Sequence, residues 1–459
     1  MARNPLGSTP AVTGSAFAKA TELQQRLWFT LGALLVYRLG TYIPVPGIDP
    51  NALSDLFSNN SGGLLGMFNM MAGGALGRMT IFALSVFPYI TASIITQLLT
   101  AVSPQLEALK KEGEAGRKKI NQYTRYLTVV LAVVQGYGFA VGLESAGAVT
   151  EPGIFFRITT VFTLLGGVMF LMWLGEQVTS RGIGNGISLI IFTGIVAELP
   201  RALAGTLELG RTGAISAILI VALLIMAVAV IAFIVFIERS QRRIQIQYPK
   251  RQMGNKMMGG ESSHLPLKIN VPGVIPPIFA SSLMALPLTA ASFSGGTSDW
   301  IVTINALLGR GQPLYLLILI FLIVFFAFFY TAIVFNPEET AENLRKNGGY
   351  VPGIRPGEPT ANYLDFILTR LTVLGSAYLA AVCILPEILI SQYSVPFYFG
   401  GTSLLIVVSV TLDTVSQVQS HLIAHQYEGL IKKSRLRGRT RWILYYWVLL
   451  DQEKGLNRY

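Results

Sequence analysis

The stretch "LYLLILIFLIVFFAFFYTAIVF", residues 314–335, carries no charged side chain. A helix needs about 20 apolar residues to cross the ~30 Å hydrocarbon layer of a bilayer, and this stretch is long enough. A second charge-free window, "GAISAILIVALLIMAVAVIAFIVFI", fills residues 213–237. Over the 459 residues only 13% are charged and 52% are hydrophobic, whereas a soluble domain carries about 25% charged residues. In lipid each span must satisfy its own backbone polar groups, which selects helices for windows of this length. The fold class is an all-α polytopic membrane protein.

Working outward from these windows places ten transmembrane helices, near 24–43, 76–101, 122–142, 154–175, 184–204, 213–237, 271–292, 313–335, 362–386 and 398–419. The opening "MARNPLGSTPAVTGSAFAKATE" is polar and lacks the apolar core of a cleavable signal. The first span is therefore expected to stay in the mature protein. The single cysteine, Cys383, lies inside a span, so no intrachain disulfide can form.

Charge placement sets the orientation. Lys110, Lys111, Arg117, Lys118, Lys119 and Arg125 follow span 2, and seven more basic residues from Arg239 to Lys268 follow span 6. Arg345, Lys346 and Arg355 follow span 8, and the tail is basic again from Lys432 to Arg441. The alternate loops 44–77, 143–156 and 387–397 contain none, with Arg201, Arg211 and Arg310 as exceptions elsewhere. The positive-inside rule puts both termini in the cytoplasm.

Ten spans divide into two groups of five, and an odd number per group inverts the second relative to the first, as in inverted-repeat transporters. The expected division is a cytoplasmic segment 1–23, an N-terminal half 24–210, a C-terminal half 211–419 with cytoplasmic loops 239–269 and 336–361, and a cytoplasmic tail 420–459. A repeated phrase fits this. Val86, Pro88, Ile90, Ala92 and Ser93 recur as Val274, Pro276, Ile278, Ala280 and Ser281, in the second span of each half. The alternative is two unrelated helices that each need a proline kink.

Recognisable chemistry is absent. The dipeptide Gly-Lys never occurs, so there is no phosphate loop, and "GIGNG" at 182–186 does not fit a dinucleotide fingerprint. His421 and His425 are four apart but lack an acidic or thiol partner, so no metal site is expected. Arg26, Arg38 and Arg157 sit near span ends, where long side chains can snorkel. Asp413, toward the cytoplasmic side of span 10, is the main intramembrane charge. The rest of the midplane is aliphatic. Val86 and Ile90 share a helix face, as do Ile187 and Ile191. A collar of such groups would make a dry constriction that gates by dewetting, although plain helix packing explains the same pattern.

Two cytoplasmic loops look structured. "NPEETAENLRKNGG" at 336–349 has Asn336 as N-cap, Pro337 at the first position, acids in the first turn, bases in the last and Gly348 as a stop. Two Pro-Gly turns then present Arg355 on a stiff tip. In "RRIQIQYPKRQ" at 242–252, Ile244, Ile246 and Tyr248 alternate with polar residues, the mark of a strand, with a return strand toward 264–268. Such basic loops serve topology and anionic lipid, or dock a large acidic surface such as ribosomal RNA.

"FPYITASIITQLL", "YPKRQMGNKMMGGESSHLPLKINVPGVIPPIFASS", "NPEETAENLRKNGGYVPGIRPGEPTANYLDFILTRLT" and "VPFYFGGTSLLIVVSV" resemble the SecY/Sec61-alpha family, pore subunits of the protein-secretion channel. The likeness runs from about residue 20 to about 437. It implies a clamshell of two inverted halves around a central pore, with no enzymatic activity and no cofactor. It places the pore ring on Val86, Ile90, Ile187, Ile191, Ile278 and Ile406, with Val86 where isoleucine is usual. Segment 62–75 matches the plug, through Leu64, Leu65, Met67, Phe68, Met70 and Met71. Gln97 and Asn270 match polar positions at the lateral gate, between spans 2 and 7, through which signal sequences and membrane segments reach lipid. Arg355, Lys250 and Arg251 fall in the loops that receive the ribosome or the SecA motor. SecE and SecG would be membrane partners, secretory preproteins the cargo, and the bacterial inner membrane the location. The tail 438–459 departs from the family. The rival reading is an inverted-repeat secondary transporter of a small solute. A third is an insertase or scaffold without a through-pore.

Overall fold

The computed structural model describes residues 21–53, 69, 72–212, 216–249, 251–253, 256–258, 262–292, 312–393 and 401–423. In chain order the helices are α1 (Thr21–Gly40), α2 (Phe87–Val102), α3 (Pro104–Lys111), α4 (Glu114–Ser145), α5 (Ile154–Arg181), α6 (Gly186–Arg211) and α7 (Ala217–Arg239). Four strands follow: β1 (Gln241–Gln247), β2 (Arg251–Met253), β3 (Lys256–Met258) and β4 (Ser262–Lys268). Then come α8 (Ile275–Ser292), α9 (Pro313–Val334), α10 (Pro337–Lys346) and α11 (Glu358–Tyr393). The last described helix is α12 (Gly401–Ile423).

A helix occupies each of the ten expected spans. Seven stretches among the described residues are long and apolar enough to cross a bilayer, and α2 and the first part of α8 are shorter apolar helices. The spans bury only part of themselves. The most apolar window of α7 is 11% buried, so this helix buries few of its side chains within the protein, as a span bordering lipid does.

The second span starts later than its hydropathy suggests. Residues 72–86 form a chain of turns, and the helix begins at Phe87. Met79 and Ser85 adopt left-handed backbone, with φ of 42° and 48°, which a continuous right-handed helix excludes. Pro88 then sits in the first turn, where its missing N–H costs nothing. The turn packs into the core. Met79, Phe82 and Leu84 are buried, and Phe82 stacks on Tyr37 and Phe170 at centroid distances of 6.0 and 5.9 Å. Two arginines hold its start: Arg38 Nη1 and Arg78 Nη2 each donate to the Gly73 carbonyl at 2.8 Å. Arg38 is thus occupied within the protein, and so is Arg157, whose guanidinium pairs with Glu144 at 2.6 Å.

Packing falls into two groups with contacts between them. In the first, α4 lies against α2 and α5, α5 against α6, and α1 against α5 and α6. In the second, α9 lies between α8 and α11. The groups meet where α8 packs on α2 and α4. One large apolar core runs through both, from Tyr37 and Leu164 to Phe326 and Leu405.

The two expected loop structures are present. Strands β1 and β4 pair antiparallel from Gln241 opposite Lys268 to Gln247 opposite Ser262. Ile244 and Ile246 face inward, as their alternation requires. A smaller hairpin, β2 with β3, sits within this loop. Helix α10 is capped by Asn336, whose side chain accepts from the N–H groups of Glu338 and Glu339. Such a cap contributes ~1 kcal/mol.

Candidate functional site

The six aliphatic residues of the expected ring come from four elements: Val86 and Ile90 at the start of α2, Ile187 and Ile191 in α6, Ile278 in α8 and Ile406 in α12. Val86, Ile90, Ile191, Ile278 and Ile406 are buried in one apolar core, and Ile187 packs against it from a partly buried position. Residues separated by more than three hundred positions in the chain are thus buried in the same apolar core.

The faces that carry these residues change character along two of the helices. Seven residues is nearly two helical turns, or about 10 Å of rise on the same face. Gln97 lies seven residues after Ile90, and Asp413 seven after Ile406. Ile406 is 0% exposed, whereas the Asp413 side chain is 65% exposed and reaches Lys268 Nζ at 3.8 Å. Two turns from the cluster, toward the ends that lead to the basic loops, the same faces have become polar.

The two amides expected at the gate make separate contacts. Gln97 Nε2 donates to Ser93 Oγ at 3.1 Å, one turn back in α2. Asn270 is buried in the connection from β4 to α8, where its Nδ2 donates to Glu238 Oε1 at 2.6 Å and to the Gly273 carbonyl at 3.1 Å. The side-chain oxygens of both amides are buried without a hydrogen-bond partner. Glu238 escapes a sequence reading because it sits between a long apolar window and Arg239, where it looks like the first charge of a loop.

On the side of the basic loops, two distant segments fuse into one body. Gln247 at the end of β1 exchanges backbone hydrogen bonds with Tyr350, at 2.9 and 3.0 Å, and the Tyr350 hydroxyl donates to Gln247 Oε1 at 3.2 Å. Beneath them Ile244, Leu267, Val351, Leu364 and Leu368 form a second small core. The turn that carries Arg355 is fastened by Thr360 Oγ1, which donates to the Arg355 carbonyl at 2.8 Å. The Arg355 side chain is exposed. Arg251 lies in β2, and Lys250 lies outside the described residues. The expected plug residues Leu64, Leu65, Met67, Phe68, Met70 and Met71 and the tail from 424 onward also lie outside them. Among the described residues no group of His, Cys, Asp or Glu is arranged to hold a metal ion; His421 is exposed and His425 lies outside.

This architecture, two packed helical groups sharing one apolar core, is the fold of protein-conducting channels. A solved structure of a protein-conducting channel superposes over 87% of this chain and 92% of its own with a TM-score of 0.61 at 20% identity. Sec61 in the canine ribosome–channel complex superposes over 87% and 92% with a TM-score of 0.58 at 19% identity. The sequence narrows the class to a family. The SecY family model matches residues 80–415. The protein translocase subunit SecY of Rickettsia conorii is 54% identical over 431 residues, covering 92% of this chain and all of the relative. That of Escherichia coli K12 is 54% identical over 426 residues, covering 92% and 96%. The chain belongs to the SecY family.

Proposed function

We propose that this chain is the pore subunit of a membrane translocase, passing unfolded secretory polypeptides across the bilayer and releasing membrane segments sideways into lipid. The observation that carries this reading is that Val86, Ile90, Ile191, Ile278 and Ile406, from four elements of the chain, all lie buried within the one apolar core that the two groups share, with Ile187 packed on it. An aliphatic collar seals against ions because water leaves a narrow apolar constriction. It also binds a passing chain without chemical grip, so a polypeptide of any sequence can slide. A small-solute transporter needs polar or ionisable groups at its midplane site, and here the waist is aliphatic.

The finer assignments follow from that reading. Residues 24–210 and 211–419 are its two inverted halves, crossing ten times with both termini in the cytoplasm of the bacterial inner membrane. Gln97 on α2 and Asn270 before α8 flank the lateral gate, which the packing of α8 on α2 supports. Segment 62–75 is the plug. The fused body of β1, β4 and the 350–357 turn is a stiff platform, and Arg355, with Lys250 and Arg251, meets the motor or the ribosome there. The relatives are named as subunits of a translocase, and two of the similar folds were solved in ribosome complexes. Energy comes from such partners, a SecA-type ATPase or the ribosome, and SecE- and SecG-type subunits complete the membrane assembly.

The deciding experiment places purified protein in liposomes with its small partner subunits, motor, ATP and a secretory precursor. Precursor is expected to become protected from external protease. Carriage of a solute gradient with no precursor protected would favour the transporter instead.

A further inference from the structure

We infer that Glu238 is a positioning residue for the gate: it holds the Asn270 amide inside the C-terminal group and so helps keep the seam between α2 and α8 closed. The inference rests on the gate reading above and goes beyond it, because it brings α7 into the gating machinery.

The contacts around Asn270 carry it. The residue is 1% exposed. Both hydrogens of its amide are committed, one to Glu238 Oε1 at 2.6 Å and the other to the Gly273 carbonyl at 3.1 Å. Behind it α11 passes closely: a Cβ at Gly375 would lie 3.1 Å from the Ile269 carbonyl and 3.6 Å from Asn270 Oδ1. Asn270 Oδ1 has no hydrogen-bond partner. Gln97, the other gate amide, donates to Ser93 within its own helix. The seam is therefore closed with Asn270 turned toward Glu238 rather than bonded to Gln97.

The consequence for gating follows from the cost of an unmet buried donor. With Glu238 present, the closed gate satisfies both Asn270 hydrogens. Without it, one hydrogen is buried and unpaired in the closed state, and it regains a partner when the seam opens to water or to an arriving chain. Removing the carboxylate should therefore favour the open gate, so that a signal segment needs less apolar surface to insert.

The test compares two precursors in proteoliposomes holding the channel, its small partner subunits and the motor. One precursor has a strongly apolar signal core and the other a core weakened by polar substitutions. The measured quantity is the ratio of strong to weak precursor protected from protease, which cancels differences in the amount of channel. Glu238→Ala is expected to lower this ratio ~5-fold. Glu238→Gln keeps an acceptor of the same shape and is expected to restore the parent ratio. In an Asn270→Ala background, Glu238→Ala should have no further effect, because coupled residues are not additive. Where Glu238→Ala does not assemble, Glu238→Leu removes the acceptor while keeping most of the side-chain volume, and the ratio should again fall.

An unchanged ratio in Glu238→Ala or Glu238→Leu, while Asn270→Ala shifts it, overturns the role of Glu238 and leaves the gate assignment standing. An equal shift by Glu238→Ala with and without Asn270 overturns it as well. If Asn270→Ala is itself silent although the parent protects precursor, Asn270 is not at the gate, and the role of Glu238 falls with it.

Discussion

The backbone N–H of Gly184 donates to Gln417 Oε1 at 2.8 Å, joining the loop between α5 and α6 to α12 across 233 residues of chain. Around this bond Leu23, Ile183 and Leu422 form a small buried cluster, with Leu27 and Val418 packed on it. Gly184 has φ of +87°, and a Cβ there would lie 3.0 Å from Leu189 Cδ1, so glycine suits the position. First helix, mid-chain loop and last described helix thus meet at one joint. The joint fastens the N-terminal group to α12.

Gln417→Ala should loosen this joint. Gly184 is buried, and an unmet buried N–H costs about 1–3 kcal/mol. Amide hydrogen exchange over residues 182–190 is then expected to speed up by roughly 5- to 150-fold, if local opening limits it. Gln417→Glu keeps an acceptor and should preserve protection. Equal exchange in parent and alanine variant would show that the apolar cluster alone holds the joint.

The proposed aliphatic waist predicts a leak. Ile90→Ala or Ile278→Ala removes buried volume from the cluster, and such truncations cost about 2–5 kcal/mol. Single variants are therefore preferable to multiple ones. Ion conductance across bilayers containing the resting channel should rise in each, because the constriction widens and wets. A buried aliphatic pair away from the waist, such as Leu364 and Leu368, should lose comparable stability on truncation without the leak. Equal conductance in waist variants and parent would remove the collar from the account.

Arg355→Glu separates docking from folding. The side chain is exposed, and the turn is fastened through the Arg355 carbonyl, so charge reversal should change stability by no more than about 0.5 kcal/mol. Motor-dependent translocation should nevertheless be lost. Thr360→Ala is the counterpart. It removes the buried hydroxyl that holds the turn, at a cost of about 1 kcal/mol, and should weaken docking while Arg355 is intact. A charge-reversed variant that translocates at the parental rate would place the docking contact elsewhere.

What a sequence can reveal here follows from the range of the forces involved. Helix α10 was legible because its cap is local: Asn336, Pro337 and two glutamates act within one turn. The β1–β4 hairpin was legible because alternation of Ile244 and Ile246 marks a half-buried strand. The start of α2 was not, because hydropathy registers 76–86 as apolar whichever way the backbone turns. The left-handed conformations of Met79 and Ser85 come from packing against α1 and α5. The proposed ring residues rest on local spacing and family likeness together. Glu238 and Gln417 were missed because their partners, Asn270 and Gly184, are 32 and 233 residues away.

Adjacent glycines in α5 give a prediction of opposite signs. Gly167 is buried where α5 supports the turn before α2, and a Cβ there would collide with the Ile81 carbonyl oxygen. That oxygen belongs to backbone held on both sides, since the Ile81 N–H donates to the Ile43 carbonyl at 3.0 Å and Phe82 is stacked between two rings. The turn cannot retreat cheaply, so Gly167→Ala should destabilise by about 1–3 kcal/mol, the usual cost of overpacking. Gly166, one residue earlier, is exposed, and nothing lies within 4 Å of its added Cβ. There alanine only restricts the unfolded backbone within a helix, and Gly166→Ala should stabilise by about 0.5–1 kcal/mol. Thermal unfolding of both variants in one detergent measures the pair. A loss at 166 equal to that at 167 would mean that α5 resists any added bulk, and that the Ile81 turn is not what Gly167 accommodates.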